Sequence, residues 1–352
     1  MSRSTSMRSN GFTLVELMVG LVVGLFVALA SISVFVGTRT LQTVSASDTR
    51  MNENARLALD LLHQDLRSAG FQGCHQRNAE DVKILLASSS NLFLDTNSGM
   101  NGAHGNGSTF APPLNATLAA LADPNSDVLS VRVPVEPMSL GLSVPMTSPT
   151  GVPQVGVATA GNQFQNGDIA LIANCKAGAI FQITAADPKA TGSLDHATGG
   201  GFVPGNTTTD LGAVFRGDTA VYRLQTRHYY IADSVARPGT KSLWRYTVPS
   251  VGIAPAQEVV AGVDRMVVSY GIDSGTGGER NVNRYVGADA LTTAPQWEDV
   301  VSVRVQLLTA TVRDGMALSA QSASFAGSTV VGTDRRKRAQ VTEVVTLRSR
   351  AP

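Results

Sequence analysis

Over 352 residues the chain balances 28 basic against 27 acidic side chains, which leaves no basic footprint for nucleic acid. Charged residues make up only 16% and hydrophobic ones 43%, beside 34 glycines and 15 prolines. That mixture suits an exported, strand-rich protein with long loops.

The chain opens on a short polar leader, residues 1–11, with Arg3 and Arg8, closing on Gly11. From Phe12 to Val36 follow 25 predominantly apolar residues. At about 1.5 Å per residue, a helix of that length crosses the roughly 30 Å hydrocarbon core of a bilayer. Glu16 lies inside this run, where a carboxylate costs on the order of 2.5–3.5 kcal/mol on insertion scales. Either its charge meets a partner, which makes it a functional candidate, or it is a glutamate near the end of the span that reaches the interface. An ordinary secretory signal would show a shorter apolar region, about 7–15 residues, followed by a small-residue cleavage site. Here the glycine stands at the polar-to-apolar junction itself, so the span is expected to stay in the mature protein. The leader arginines put the N-terminus on the cytoplasmic side and export the rest.

Gly11-Phe12-Thr13-Leu14-Val15-Glu16, with its charged leader and long apolar continuation, resembles the class III signal of type IV prepilins and pseudopilins. The resemblance implies a cut between Gly11 and Phe12 by a membrane prepilin peptidase, which also methylates the new Phe12 amine. It further implies that Glu16 pairs with the terminal amine of an adjacent subunit. Physically, a buried ammonium and a buried carboxylate each relieve the other's desolvation. Many major pilins carry a proline about twenty residues into the mature helix; this chain has Ser33 in that neighbourhood and no proline in the span. Gly20, Gly24 and Gly37 offer flexibility or close helix packing instead.

Beyond Val36 a polar, β-branched stretch to Asp48 has poor helix propensity, yet the helix is expected to continue through it with local weakness. Met51, Ala55, Ala58, Leu59, Leu62 and Leu66 then recur at three- and four-residue steps, one apolar stripe expected to pack on a sheet. Arg56 and Asp60 can pair at (i, i+4), and Gly70 supplies the stop. The expected organisation is a leader at 1–11, a membrane and assembly helix at 12–36, its amphipathic continuation at 37–69, and a β-rich head at 70–352 with room for two lobes.

Two cysteines, Cys74 and Cys175, read as a disulfide in an exported chain, with two buried free thiols as the alternative. Loops are expected at Asn97 to Pro113 and Asp187 to Asp210, and an irregular, proline-dotted run from Pro134 to Pro153. Strands are expected at 128–133, 169–174, 179–184, 219–231, 242–248, 265–272, 299–312 and 339–348, with Tyr229, Tyr230, Trp244, Tyr246 and Trp297 serving the core. The fold class is therefore α+β: a long helix whose distal half lies on an antiparallel, Greek-key-like or meandering sheet.

Glu53-Asn54-Ala55-Arg56-Leu57-Ala58-Leu59-Asp60-Leu61-Leu62, Asp65-Leu66-Arg67, Ala69-Gly70-Phe71 and Gly73-Cys74 resemble the PilW family of minor pilins. So do Gly167-Asp168-Ile169, Asn174-Cys175, Ile180-Phe181-Gln182-Ile183-Thr184, Val300 to Val305 and Asp334-Arg335-Arg336. Both cysteines sit inside these pieces, which supports their pairing. The resemblance implies a non-enzymatic pilus component with no cofactor. It would wait in the inner membrane with a periplasmic head and help start, or cap, a type IV pilus. Implied partners are other minor pilins, the major pilin and often a large PilY-type tip adhesin. A type II secretion pseudopilin, a DNA-uptake (competence) pilus component and a tethered exported enzyme or binding protein are the rival readings.

Sites for chemistry are weak. His63, His75, His104, His196 and His228 are scattered and mostly in polar surroundings, and no hydrolase, zincin, Walker or dinucleotide motif is present. Asp273 to Glu279 reads as a turn rather than a calcium loop, because it lacks alternating oxygen ligands. Arg335-Arg336-Lys337-Arg338 reads as a solvated hairpin turn guarding a strand edge, or a contact for an acidic face of a neighbour.

Overall fold

The computed structural model describes residues 13–73, 82–87, 99–151, 155–199, 201, 204–248, 255–273 and 281–347. The chain divides into two compact units, Met1–Arg50 and Met51–Pro352. One helix, α1, runs Leu14–Ser68 and contributes to both. In the first unit its run up to Val36 is apolar apart from Glu16 and a few hydroxyls, with a mean hydropathy of 2.7 over the most apolar window, and its large apolar side chains are exposed. As expected, the helix continues through the polar stretch after Val36. Its hydroxyls fold back onto the preceding turn: Ser31 Oγ donates to Val27 O at 2.8 Å, Thr38 Oγ1 to Val34 O at 2.8 Å and Thr43 Oγ1 to Arg39 O at 3.0 Å. Each of these hydroxyls is thereby satisfied within the helix.

In the second unit α1 buries Met51, Ala55, Ala58, Leu62, Asp65 and Leu66. Apart from half-buried Leu59, the apolar positions are those of the sequence stripe; Asp65 joins them. The helix stops after Ser68, and Gly70 adopts φ +70, a left-handed conformation that favours glycine. The head then runs β1 (Val82–Ile84), β2 (Met100–Gly105), β3 (Phe110–Ala111), α2 (Ala116–Leu121), β4 (Val128–Gly141), β5 (Ile169–Ala173), β6 (Gly178–Gln182) and α3 (Pro188–Thr191). It continues through β7 (Ala220–Asp233), β8 (Lys241–Val248), β9 (Ala256–Ala261), β10 (Val263–Ile272), β11 (Arg284–Val286), α4 (Ala294–Glu298), β12 (Val300–Ala310), β13 (Ala323–Phe325), β14 (Ser328–Val330) and β15 (Arg338–Thr346).

Nine strands form the larger sheet, in the order β1-β6-β5-β7-β4-β2-β3, with β8 paired to β7 and β9 to β8. Long β7 makes this possible: β5 pairs with its first residues and β8 with its last. β1 and β6 are parallel, while the other strand pairs of this sheet are antiparallel, as expected of an antiparallel-rich head. The smaller sheet, β11-β10-β12-β15, is antiparallel throughout, and β13–β14 is a separate hairpin. Ala58, Leu62 and Leu66 of α1 share one core with Leu129, Val131 and Tyr229 of the larger sheet and Met266, Val268, Val303 and Val305 of the smaller. The helix is thus the layer on which both sheets close. A second core, around Phe164, Phe181, Phe215 and Leu194, lies under β5 and β6.

Three expectations need correction. Within Asn97 to Pro113, the expected loop contains β2 and β3. The glycines there serve close approach rather than mobility: a Cβ on Gly102 would stand 2.0 Å from Tyr270 Oη and 2.8 Å from Val128 O, and one on Gly105 would stand 2.4 Å from Ser126 O. β4 continues through Pro134 and Pro137 to Gly141. It bulges between Val135 and Leu140, and β2 covers only Val128 to Val131, so among the described residues no strand pairs with Pro134 on that side. The stretch Asp187 to Asp210 is packed, not low-order. It holds α3, capped by Asp187, and Asn206, whose side chain exchanges hydrogen bonds with the Gln182 backbone at 2.8 and 2.7 Å.

Candidate functional site

At the start of α1 the sequence Thr13-x-x-Glu16 closes a capping box. Glu16 N donates to Thr13 Oγ1 at 3.2 Å, while Thr13 N and Thr13 Oγ1 both lie 3.2 Å from Glu16 Oε2. The carboxylate occupies the first turn, where the helix dipole favours a negative charge. Around it Leu14 is 75% exposed, and Phe26 and Val34 are 69% exposed. An apolar surface this continuous is covered by lipid or by other helices in a working protein. Where the apolar run ends, the Arg39 guanidinium lies 4.8 Å from the Phe35 ring centroid, a cation–π contact. Gly11 and Phe12, the expected processing site, lie outside the described residues.

The second half of α1 is fixed by polar contacts that the stripe does not announce. Asp65 accepts from Arg227 Nη1 and from Tyr229 Oη, each at 2.6 Å, so two donors of β7 converge on one buried carboxylate. Burial, and then the neighbouring Asp65, push the Tyr229 phenol well above its usual range, which keeps it a donor. Asn54 Nδ2 donates to Ala261 O at 3.0 Å, and His63 pairs with Glu343 of β15. The Arg56–Asp60 pair is present at 3.9 Å but exposed, where such pairs contribute little. Sequence reading missed Asp65 as a site; its only signal was a carboxylate on the apolar stripe.

Two histidines expected in polar surroundings are deep in the head. His228 is fully buried, its Nδ1 2.7 Å from Ser130 Oγ and its ring 6.2 Å from that of Tyr246; desolvation lowers its pKa to about 3. His196 packs against Phe181 at 5.0 Å, with Nε2 3.1 Å from Thr209 O, and burial lowers its pKa too. Half-exposed His104 meets Asp127 Oδ1 at 2.8 Å; burial raises the Asp127 pKa against the pull of Val268 N–H, His104 and Gly105 N–H. His75 and residues 274–279 lie outside the described residues. Asp168 opens β5 with its carboxylate buried, 2.9 Å from Gln165 N and 3.7 Å from Arg223 Nη1.

The basic run is not a free hairpin turn. Arg338 is spent on Asp264 at 2.7 Å and bidentately on Asp334 at 2.7 and 2.9 Å, and Arg336 Nη2 donates to Gly239 O at 2.8 Å. The run therefore ties the start of β15 to its own head. Cys175 stands in the β5–β6 turn, whose Asn174 side chain accepts from Lys176 N and Ala177 N at 2.9 Å each. Cys74 lies outside the described residues. Its neighbour Gly73, however, lies against this turn: a Cβ there would be 3.0 Å from Ala173 Cβ.

Residues 228–349 match the family model described as Type IV Pilus-assembly protein W, and residues 6–32 match that of the Prokaryotic N-terminal methylation motif. Among solved structures the chain is similar to a type IV-like pilin from Thermus thermophilus. The two are 13% identical, the match covers 86% of this chain and 98% of that one, and the TM-score of 0.32 is too low to carry an argument. No curated protein matches the chain.

Proposed function

We propose that this chain, a PilW-type pilin, works as a non-enzymatic minor pilin that helps initiate a type IV pilus and sits at its tip. It is cut after Gly11 by a prepilin peptidase and methylated on Phe12. It waits in the inner membrane with its head in the periplasm, and joins other minor pilins and the major pilin through α1. The observation that carries this reading is the exposed apolar start of α1 with Glu16 in its first turn, where residues 6–32 match the methylation motif. In the assembled state a neighbour's Phe12-type amine would take the carboxylate that Thr13 holds here, and the buried pair would fix register between helices. The head then chooses its neighbours, with a PilY-type adhesin as a further partner.

We also propose a Cys74–Cys175 disulfide, supported by the contact of Gly73 with Ala173 and by the oxidising compartment. Intact-mass measurement of the mature protein tests both parts. The expected product begins at methylated Phe12 and is two hydrogen atoms lighter than its reduced form. An unprocessed leader would sink the pilin reading, and two free thiols would sink the disulfide. Glu16→Ala is expected to leave the protein inserted and folded while lowering pilus number; normal piliation in that strain would remove the assembly role. Loss of secretion with pili intact would instead assign the chain to a type II secretion pseudopilus.

A further inference from the structure

Most strand edges in the head are short or interrupted. β1, β3 and β11 have three residues or fewer, β9 pairs with a register shift, and the uncovered part of β4 carries Pro134 and Pro137. β15 is different. It runs nine residues against β12 in unbroken register, from Ala310↔Arg338 to Ser302↔Thr346, with no proline, lysine or bulge. Those are three of the devices by which proteins protect an edge from pairing; a fourth, an inward-pointing charge, is present as Glu343, which is paired with His63.

The phase of the ladder shows which groups are free. Thr311 N donates to Lys337 O at 2.9 Å and Leu347 N to Val301 O at 3.0 Å, so the odd-numbered residues of this strand bond to β12. In an antiparallel ladder the alternate residues then point their N–H and C=O away. These are Gln340, Thr342, Val344 and Thr346, and among the described residues no strand pairs with that edge. The Gln340 side chain is engaged by Ala326 N of the β13–β14 hairpin. The open stretch is therefore Thr342 to Thr346, with the Thr342, Val344 and Thr346 side chains exposed.

The geometry points to strand addition at this edge: an extended, uncharged, β-branched segment of a different pilus subunit pairs with Thr342, Val344 and Thr346 as a fifth strand of the smaller sheet. This rests on the pilus reading and supplies its head-to-head contact. The charge pattern selects the occupant. The outward row carries no charge, and the one charge of the inner row, Glu343, is already paired with His63. In a second copy, any register that joined the Thr342 and Val344 backbones would set the two Glu343 carboxylates opposite or diagonal to each other, a like-charge cross-strand arrangement that is unfavourable. A neutral strand from another chain has no such conflict.

The test uses the tagged full chain, solubilised in detergent from pilus-producing cells, with the other pilus subunits quantified in its eluate. Thr342→Pro removes an N–H for which no partner is seen among the described residues, and its ring also restrains the edge backbone; Val344→Lys places a lysine on the edge. Each is expected to lower recovery of one pilus subunit roughly tenfold while the melting temperature holds, whereas Val344→Thr retains it. Should Thr342→Pro fail to fold, Val344→Lys decides alone, because that side chain lies on the exposed face. Wild-type recovery from a folded edge variant overturns the strand addition and leaves the pilus reading intact. A self-dimer of the wild-type chain, lost in the variants, makes the occupant a second copy and also overturns it. A wild-type chain that brings down no pilus subunit overturns both.

Discussion

Asp65 holds two donors of one strand, so removing its carboxylate strands a guanidinium and a phenol together in a buried position. Breaking a buried pair from one side costs roughly 3–5 kcal/mol. Asp65→Ala is expected to lose that much in denaturant unfolding, and Asp65→Asn less, since its amide oxygen still accepts. Equal stability of Asp65→Ala and wild type would mean that the two donors rehydrate freely. The residue was legible in sequence only as an acid beside Leu66. Its partners lie 162 and 164 positions away, and no local pattern links a helix carboxylate to residues that distant. His228 escaped for a related reason: neighbours in sequence say nothing of the sheet face that buries it.

Among the elements, α1 and the long strands were legible because period and composition agreed. The apolar stripe, the stop at Gly70 and strands such as β7, β10 and β12 all follow from local signals. β2 was not, because its glycines carry the composition of a loop and their purpose is defined by Tyr270 and Val128, far along the chain. Gly102→Ala is thus expected to push against Tyr270 Oη and the backbone of β4. Overpacking of this kind costs typically 1–3 kcal/mol, visible as a lowered melting temperature. An unchanged melting temperature would show that the Tyr270 ring can swing aside. α1 asks less of the elements around it in its first half, where every turn is closed by its own bonds, than in its second, where Asp65, Asn54 and His63 reach across to β7, β9 and β15.

For the whole molecule, buried titratable groups set an acid limit. His228 is held neutral in the fold, with its pKa lowered by burial to about 3, below the unfolded value of 6.5. The unfolded chain therefore binds a proton first, and stability falls as pH drops through 6.5 toward 3. Asp334, lowered by its Arg338 contact, acts in the same direction but only below the ordinary carboxylate range. Asp127, raised by burial, acts oppositely and regains stability as it protonates. Melting temperatures from pH 7 to 4 are expected to fall more steeply in the wild type than in His228→Asn, as titration about an unfolded value near 6.5 requires. Parallel curves would assign the acid loss to other groups. The hydroxyls folded back along α1 have a consequence of a different kind. With Ser31 and Ser33 closed onto their own backbone, the apolar run up to Val36 turns few free hydroxyl donors toward its surroundings. Exchanging lipid for a neighbouring helix then breaks and makes few hydrogen bonds. On the proposed pilus reading, the apolar run then discriminates little between the two settings, and Glu16 is the group proposed to give the exchange a direction.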